Sequence, residues 1–165
     1  MHMACTEWTV CASLPQVEAF WLLYVHMRRP GETHGSERPN VCDYHVFRDS
    51  IKPMWEDEEN ANGGKWIVRL KKGVAARYWE DLLLAMLGGQ FGLGEEICGA
   101  VLSVRYQEDL LSIWNKTADS RKVCMQIRDT LKSVIGLPAD AAMEYKKHHD
   151  SMRDNSSYRN TNSNF

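Results

Sequence analysis

The chain has 165 residues, of which 44% are hydrophobic and 25% charged, and its 20 Lys and Arg against 22 Asp and Glu give a formal net charge of -2. These proportions are typical of one folded globular domain and exclude disordered, fibrous and coiled-coil classes. The balanced charge excludes a long electrostatic contact with a nucleic-acid backbone, so any such contact must be local. Six Trp are a surplus, and indole stacks well on flat or cationic ligands.

The cysteines and the apolar stretches indicate a cellular compartment. The five Cys include no CxxC pair and have no His at zinc-finger spacing, which predicts neither a disulfide framework nor a zinc site. No stretch reaches the roughly 18 apolar residues of a membrane span, and the N-terminus lacks the basic-then-apolar order of a signal peptide. We therefore expect a reducing, cytosolic or nuclear protein that makes no contact with a membrane.

The first predicted element is a helix over about 14–28. A capping box at 13–16 precedes apolar residues at helical spacing, and Pro30-Gly31 ends the pattern. A polar loop with a short candidate element at 44–47 follows. The acidic run at 56–59 is typical of a solvated loop.

A strand and a second helix are predicted next. A turn at 62–64 leads into an alternating segment at 65–72, which indicates a strand with one side buried. Apolar residues at helical spacing then predict a helix from about 76, which the glycine pair Gly88-Gly89 ends.

The remaining pattern predicts a β-hairpin and a third helix. Two β-rich segments, 98–105 and 110–114, are separated by a short polar turn, and a helical pattern runs from about 120 to 136. The last dozen residues are polar and predict no element. Because a hairpin requires antiparallel pairing, we predict an α+β fold with a curved antiparallel β-sheet backed by three helices.

The most suggestive pair for binding chemistry is Trp55-Glu56, because a large ring beside a carboxylate in an irregular stretch can be directed at a ligand. The alternative is that the ring only plugs the edge of the core. The other indoles considered have the helix or strand spacing that is typical of core residues: Trp21, Trp66, Trp79 and Trp114.

Basic residues cluster locally and offer a favourable field to a phosphate group: Lys65, Arg69, Lys71, Lys72 and Arg77. The alternative is the solvent side of a half-buried strand. Arg105 is a further candidate phosphate donor. No His pairs with Ser or Cys in a recognisable nucleophile setting, so the sequence predicts neither catalysis nor a cofactor.

Three stretches carry a resemblance to a known family: VEAFWLLY (17–24), IKPMWEDEENANGGKWIVRL (51–70) and GEEICGAVLSVRYQEDLLSIWNKT (94–117). They resemble the translation initiation factor 4E family, whose members bind the 7-methylguanosine cap of messenger RNA. The segments YQEDL and WEDLLLAMLG are most similar to the divergent 4E-homologous-protein class, mainly translation repressors, which includes the plant-type novel cap-binding proteins. The resemblance implies a cap-binding domain at 14–150, between a divergent N-terminal segment at 1–13 and a polar tail at 151–165.

The resemblance also implies how a cap is held. Methylation at N7 gives guanine a delocalised positive charge, so stacking on indole gains a cation–π attraction. By likeness, Trp55 is one stacking wall, Glu56 accepts hydrogen bonds from the guanine edge and Trp114 packs near the methyl group. Lys65 and Arg105 match positions that hold the cap phosphates.

Two departures from the family pattern bear on affinity. Counted back from Trp21, the position of the second stacking aromatic falls near Ala4, which is not aromatic, and Trp8 is the nearest substitute. The chain begins too late for the family's first strand, so we expect a sheet that lacks this strand. The better-known members carry lysines where this chain has Gln107 and Leu110. The loss of those two charges implies weaker cap binding.

The far surface matches the family's docking patch for partner proteins that carry a helix of the Tyr-x-x-x-x-Leu-apolar type. The matching residues are Val17, Trp21, Glu80 and Asp81. Trp21 therefore has a second interpretation, as an exposed anchor for a partner, which we favour over a core role.

The implied function is that of a monomeric cytoplasmic protein, not an enzyme, that binds the cap and represses or modulates translation. An active initiation factor is the alternative in the same class. A different alternative is a protein-interaction module that has lost cap binding with its first strand. An enzyme acting on caps is least favoured, because the sequence has no paired carboxylates that would suit a metal.

Overall fold

The computed structural model describes residues 2–5, 8–10, 17–31, 41–138, 140–159 and 161, with backbone alone at 2–5, 8–10 and 17. Among these residues no helix is both long and apolar enough to cross a bilayer. The elements, in chain order, are β1 (His2–Cys5), β2 (Trp8–Val10), α1 (Val17–Tyr24), β3 (Cys42–Phe47), α2 (Glu58–Ala61), β4 (Gly64–Leu70), α3 (Ala75–Leu87), β5 (Ile97–Val104), β6 (Asp109–Asn115), α4 (Arg121–Val134), β7 (Met143–Lys147) and α5 (His148–Asp154).

The strands form one sheet with the order β2-β1-β3-β5-β6-β4-β7, and every neighbouring pair is antiparallel. The hairpin of β5 and β6 lies at its centre, as the polar turn between two β-rich segments predicts. One row of paired residues runs from Lys146 through Lys65 and Trp114 to Gly99 and Phe47. The predicted α+β fold with an antiparallel sheet is confirmed.

The two faces of the sheet bury different clusters because side chains alternate along each strand. On one face, Trp66, Val68 and Leu70 of β4 join the main core with the apolar sides of α1, α3 and α4. The opposite face carries a smaller cluster: Phe47, Ile51, Cys98, Val101 and Trp114, with Trp55 packed against it. Three helices therefore back one face, as predicted, and the other face is left open to a ligand.

Element bounds differ from the prediction in a few places. Helix α1 ends at Tyr24 rather than near residue 28. A one-turn helix, α2, interrupts the acidic run that we predicted as loop, because Asp57 caps it by accepting a hydrogen bond from the backbone N of Glu59 at 3.1 Å. The pattern did not predict β7 and α5, which are short and carry many charged residues.

The expected gap at one sheet edge is wrong. The backbone of β1 pairs with β3, with Ala4 opposite His45, and β2 pairs with β1 beyond it. Two short strands from the N-terminal segment therefore occupy this edge. The side chain of Trp8, our candidate for the second stacking aromatic, lies outside the described residues.

Candidate ligand-binding cleft

A cleft of about 350 Å³ lies on the sheet face opposite the helices. The loop before α2 forms one side, strands β3 to β6 form the floor, and the segment after α5 reaches into it. Its lining includes five of the six residues that the family resemblance assigns to the cap, namely Trp55, Glu56, Lys65, Arg105 and Trp114. The side chain of the sixth, Trp8, lies outside the described residues. The fold thus brings together residues that are far apart in the chain, from Trp55 to Trp114.

The loop that carries the tryptophan and the glutamate is held by polar clamps. Buried Asn60 donates from Nδ2 to the carbonyl of Lys52 at 2.8 Å and to that of Met54 at 2.9 Å. The Asp57 carboxylate, besides capping α2, accepts from the backbone N of Lys52 at 3.1 Å. Because three loop groups are bonded to side chains of the following turn, the loop is pre-organised before any ligand arrives.

Trp55 and Glu56 emerge from this clamped loop. Trp55 is half-buried: part of its ring packs against the smaller core cluster, and the ring also lines the cleft. Glu56 is exposed and lines the same cleft. The interpretation as a core plug and the interpretation as a ligand contact therefore each describe one part of the Trp55 ring.

Trp114 forms part of the cleft floor and is only 4% exposed. Phe47 meets its ring edge-on at a centroid distance of 5.3 Å, and His148 lies against it at 4.2 Å. Burial, reinforced by nearby Lys65, lowers the pKa of His148 to about 3, so the imidazole is neutral at physiological pH. The periodicity of the sequence did not identify His148, because it lies in a segment without a predicted element.

Lys65 is buried within the cleft floor rather than extended into solvent. Its Nζ lies 4.9 Å from the Trp114 ring centroid and 5.8 Å from that of Trp55, and it donates to Ser157 Oγ at 2.6 Å. Burial, with a further contribution from the like charge of Lys146, lowers the pKa of Lys65 to about 7. A phosphate contact of Lys65 stays a prediction, since its ammonium already has a hydroxyl and two rings as neighbours.

This pKa predicts a pH dependence of stability. Between pH 7 and the ordinary lysine value of 10.5, the unfolded state binds more protons at Lys65 than the folded state, so the free energy of unfolding rises with pH in that window. The slope contributed is at most about 1.4 kcal/mol per pH unit. Urea denaturation at pH 7 and pH 9 should show this rise for the wild type but not for Lys65→Met. Lys71→Met, at an exposed lysine, is the control, and a wild-type profile that matches Lys65→Met would contradict the prediction.

Arg105 stands at the other end of the cleft. Its Nη2 forms an ion pair with Asp43 Oδ1 at 2.8 Å, and Nη1 donates to the carbonyl of Val104 at 2.9 Å. Leu110, which occupies a lysine position of the better-known family members, is 8% exposed and presents an apolar side chain to the cleft. The guanidinium is therefore the charged donor at this end, and it is shared with a carboxylate.

The basic stretch after the turn does not form one phosphate-binding patch. Arg69 bonds to Glu108 at 2.6 Å and to Glu144 at 3.2 Å, and Lys72 bonds to Asp109 at 2.6 Å. These cations are neutralised by carboxylates from neighbouring strands and the hairpin turn. The alternative of a solvated strand side describes Arg69 better than a phosphate site does.

The residues of the predicted docking patch lie on the helix side of the domain. Trp21 is half-buried, and its ring meets Phe20 and Tyr24 edge-on at centroid distances of 5.4 Å and 5.5 Å. The Tyr24 hydroxyl donates to Glu80 Oε2 at 3.5 Å, and burial raises the pKa of this phenol to about 12. This contact joins α1 to α3. Trp21 on α1 and Glu80 on α3, two of the predicted patch residues, therefore lie on adjoining helices.

The two helices of this docking patch also carry exposed apolar side chains. Leu22 on α1 is 69% exposed, Val25 directly after α1 is 68% exposed, and Leu84 on α3, one turn after Glu80, is 42% exposed. Asp81 pairs with Arg77 at 3.7 Å. The side chain of Val17 lies outside the described residues. The helical spacing of Leu84 from Glu80 was a signal for its place on this surface.

The segment predicted as a polar tail, 151–165, begins inside helix α5, and part of it contacts the cleft. Residues 155–159 turn back after α5, and Ser157 and Tyr158 line the cleft. The sequence offered no periodic signal here, because these contacts depend on two buried lysines, Lys65 of β4 and Lys146 of β7, that the pairing of the two strands brings together.

Comparison with known proteins gives consistent matches. A family model described as "Eukaryotic initiation factor 4E" matches residues 6–163. The chain is 50% identical over 151 residues to eukaryotic translation initiation factor 4E-4 of Caenorhabditis elegans, covering 92% of this chain and 69% of that protein. It is 52% identical over 145 residues to eukaryotic translation initiation factor NCBP of Arabidopsis thaliana, covering 88% of this chain and 63% of that protein.

A solved structure shares the fold. Caenorhabditis elegans eIF4E-3, in its complex with the 4E-binding protein Mextli and a cap analog, matches with a TM-score of 0.77 at 36% identity. The match covers 88% of this chain and 80% of that chain.

Proposed function

Because the chain belongs to the eukaryotic initiation factor 4E family, we propose that it binds the 7-methylguanosine cap of messenger RNA in this cleft and regulates translation initiation. The observation that carries the proposal is the pairing of Trp55 and Glu56 on a clamped loop that faces the cleft. The solved relative that holds a cap analog supports it.

The chemistry of the cap suits this pair of side chains. The Trp55 indole stacks on the methylated base, whose positive charge adds a cation–π attraction of about 0.5–2 kcal/mol. Glu56 accepts hydrogen bonds from the N1–H and 2-amino donors of guanine, and the charge on both partners strengthens them. Trp114, on the floor, packs near the methyl group. Selectivity therefore depends on the charge that methylation confers.

The phosphate end of the proposed site is weaker than the base end. Arg105 shares its guanidinium with Asp43, and Leu110 offers no charge. We therefore expect the chain to bind the cap less tightly than family members with lysines at the two hairpin positions. This expectation, and the likeness of α3 and of the YQEDL segment to the repressor class, favour a monomeric cytoplasmic repressor that makes and breaks no covalent bond.

The test of the function is discrimination between methylated and plain nucleotides. We expect 7-methylguanosine triphosphate to quench Trp fluorescence and to bind roughly 10-fold or more tighter than GTP, because the cation–π attraction is absent from GTP. Equal affinity for both nucleotides would refute cap recognition. Quenching by neither would favour the interaction module without a cap site.

A second proposed activity uses the docking patch on α1 and α3. Leu22 on α1, Val25 directly after it and Leu84 on α3 are exposed apolar side chains, and Trp21 on α1 is half-buried. An amphipathic helix of the Tyr-x-x-x-x-Leu-apolar type could bury its leucine and apolar residues on such a surface. The solved relative in complex with a 4E-binding protein supports a protein partner.

Trp21→Ala should separate the two activities. We expect it to weaken binding of a synthetic Tyr-x-x-x-x-Leu-apolar peptide by about 30-fold, because an interface Trp commonly contributes about 2 kcal/mol or more. Affinity for 7-methylguanosine triphosphate should not change, since Trp21 lies on the other side of the sheet. Calorimetry with each ligand checks both statements. Loss of both affinities would instead indicate that Trp21 is a core residue.

A further inference from the structure

The segment after α5 forms a compact strap, residues 155–159. Asn155 ends the helix in the left-handed conformation (φ 46°), which Asn tolerates better than most residues, and this turns the chain back. The backbone N of Ser156 donates to the carbonyl of Ser151 at 3.2 Å, and that of Arg159 donates to Ser156 Oγ at 3.1 Å. The strap is thus an ordered turn.

Two buried lysines anchor this strap. Lys65 and Lys146 are neighbours across β4 and β7, and each is 2% exposed. Nζ of Lys146 bonds to the carboxylate of Asp154 at 2.8 Å and 3.1 Å and to the carbonyl of Arg159, while Nζ of Lys65 donates to Ser157 Oγ at 2.6 Å. A buried ammonium group without partners is strongly unfavourable. The need to solvate both lysines therefore holds the strap against the cleft.

Tyr158 follows the anchored Ser157 directly. It lines the cleft and is 41% exposed, so its ring has free surface. The ammonium group that bonds to Ser157 lies 5.8 Å from the Trp55 ring centroid and 4.9 Å from that of Trp114. Tyr158 is therefore attached at the indole end of the cleft.

The end of the cleft at Arg105, where the cap phosphates are proposed to bind, is distant from the row of Lys65 and Trp114. Asp43, the ion-pair partner of Arg105, is four residues along β3 from Phe47, which belongs to the row of Lys65 and Trp114. Four residues of strand span roughly 13 Å. A residue attached to the Lys65 row is thus placed to contact the base of a bound cap rather than its distal phosphates.

We infer that Tyr158 is a ligand-contacting residue that adds a third aromatic surface, beside Trp55 and Trp114, around the methylated purine. The inference rests on the proposed cap-binding function. A tyrosine ring provides a rigid π surface with few rotamers to immobilise, and the anchored strap reduces the ordering cost further. Because Lys65 and Lys146 hold the strap against the cleft, they also place Tyr158 in the proposed binding site.

The experiment compares Tyr158→Ala and Tyr158→Phe with Tyr106→Ala, a matched control at a 65% exposed tyrosine that is not among the lining residues of the cleft. Calorimetric titrations use 7-methylguanosine triphosphate and the dinucleotide cap m7GpppA. We expect Tyr158→Ala to weaken both ligands by the same factor, roughly 5-fold or more, as loss of a base-stacking ring does. Tyr158→Phe, which keeps the ring, and Tyr106→Ala should bind like the wild type.

Three results would overturn the inference. Unchanged affinity in Tyr158→Ala would mean that the ring does not touch the ligand, and tighter binding would mean that the strap obstructs the cleft. A loss confined to the dinucleotide would place the contact beyond the methylated base. If the wild type prefers the methylated nucleotide and Trp55→Ala loses it, these outcomes remove only the role of Tyr158; if the wild type shows no preference, the proposed function fails as well.

Discussion

We expect the substitution Trp55→Ala to abolish retention of the chain on immobilised 7-methylguanosine triphosphate. The substitution removes both the stacking surface and the cation–π attraction, which together contribute about 3 kcal/mol, or roughly 100-fold in affinity. Isothermal titration calorimetry measures the loss directly, without relying on the fluorescence of the indole that has been removed. Unchanged retention would refute the assigned role of this ring.

Trp21→Ala is the matched control for this substitution, because it also removes a half-buried indole, but from the opposite side of the sheet. Trp21→Ala should keep its affinity for 7-methylguanosine triphosphate and bind the Tyr-x-x-x-x-Leu-apolar peptide more weakly. Trp55→Ala should keep its affinity for that peptide. Part of the Trp55 ring packs against the smaller core cluster, so far-UV circular dichroism and a thermal melt must first show that Trp55→Ala is folded.

Gly63→Ala should unfold or severely destabilise the domain. An added Cβ would lie 1.9 Å from the carbonyl oxygen of Asn115 and 3.0 Å from that of Lys116. Because these are backbone atoms of β6 and the residue after it, no side-chain rotation relieves the clash and the strands must separate. We expect a loss of about 4 kcal/mol or more in the free energy of unfolding, measured by urea denaturation.

Gly92→Ala separates this clash from the general effect of replacing a glycine. Gly92 has φ 63° and no atom within 4 Å of an added Cβ. Its substitution should therefore lower the free energy of unfolding by only about 1 kcal/mol, the strain of an alanine in the left-handed conformation. Similar costs for the two variants would contradict the steric argument. The larger loss should also remove cap binding, because Gly63 directly precedes the strand that carries Lys65 into the cleft floor.

The fold class and most of the elements could be predicted from the sequence, since alternation and helical spacing record which side of an element packs against the main core. The alternation at 65–72 predicts a strand with one buried side, and Trp66, Val68 and Leu70 of that side are in the main core, although Lys65 and Ile67 on the other side are buried too. Trp79 was predicted as a core residue by helical spacing and is fully buried. The resemblance, rather than any periodicity, selected the residues that line the cleft.

The contacts of the charged residues could not be predicted from the sequence and became evident in the folded domain. Lys65 and Arg69 belong to the same basic stretch and the same side of β4, yet the first is buried between two indoles and the second is held at the surface by two glutamates. The Asn60 clamp and the strap that brings Tyr158 to the cleft were likewise absent from the pattern. Local spacing records burial along one element, whereas partners from distant strands are set by register and by the need to satisfy buried charge.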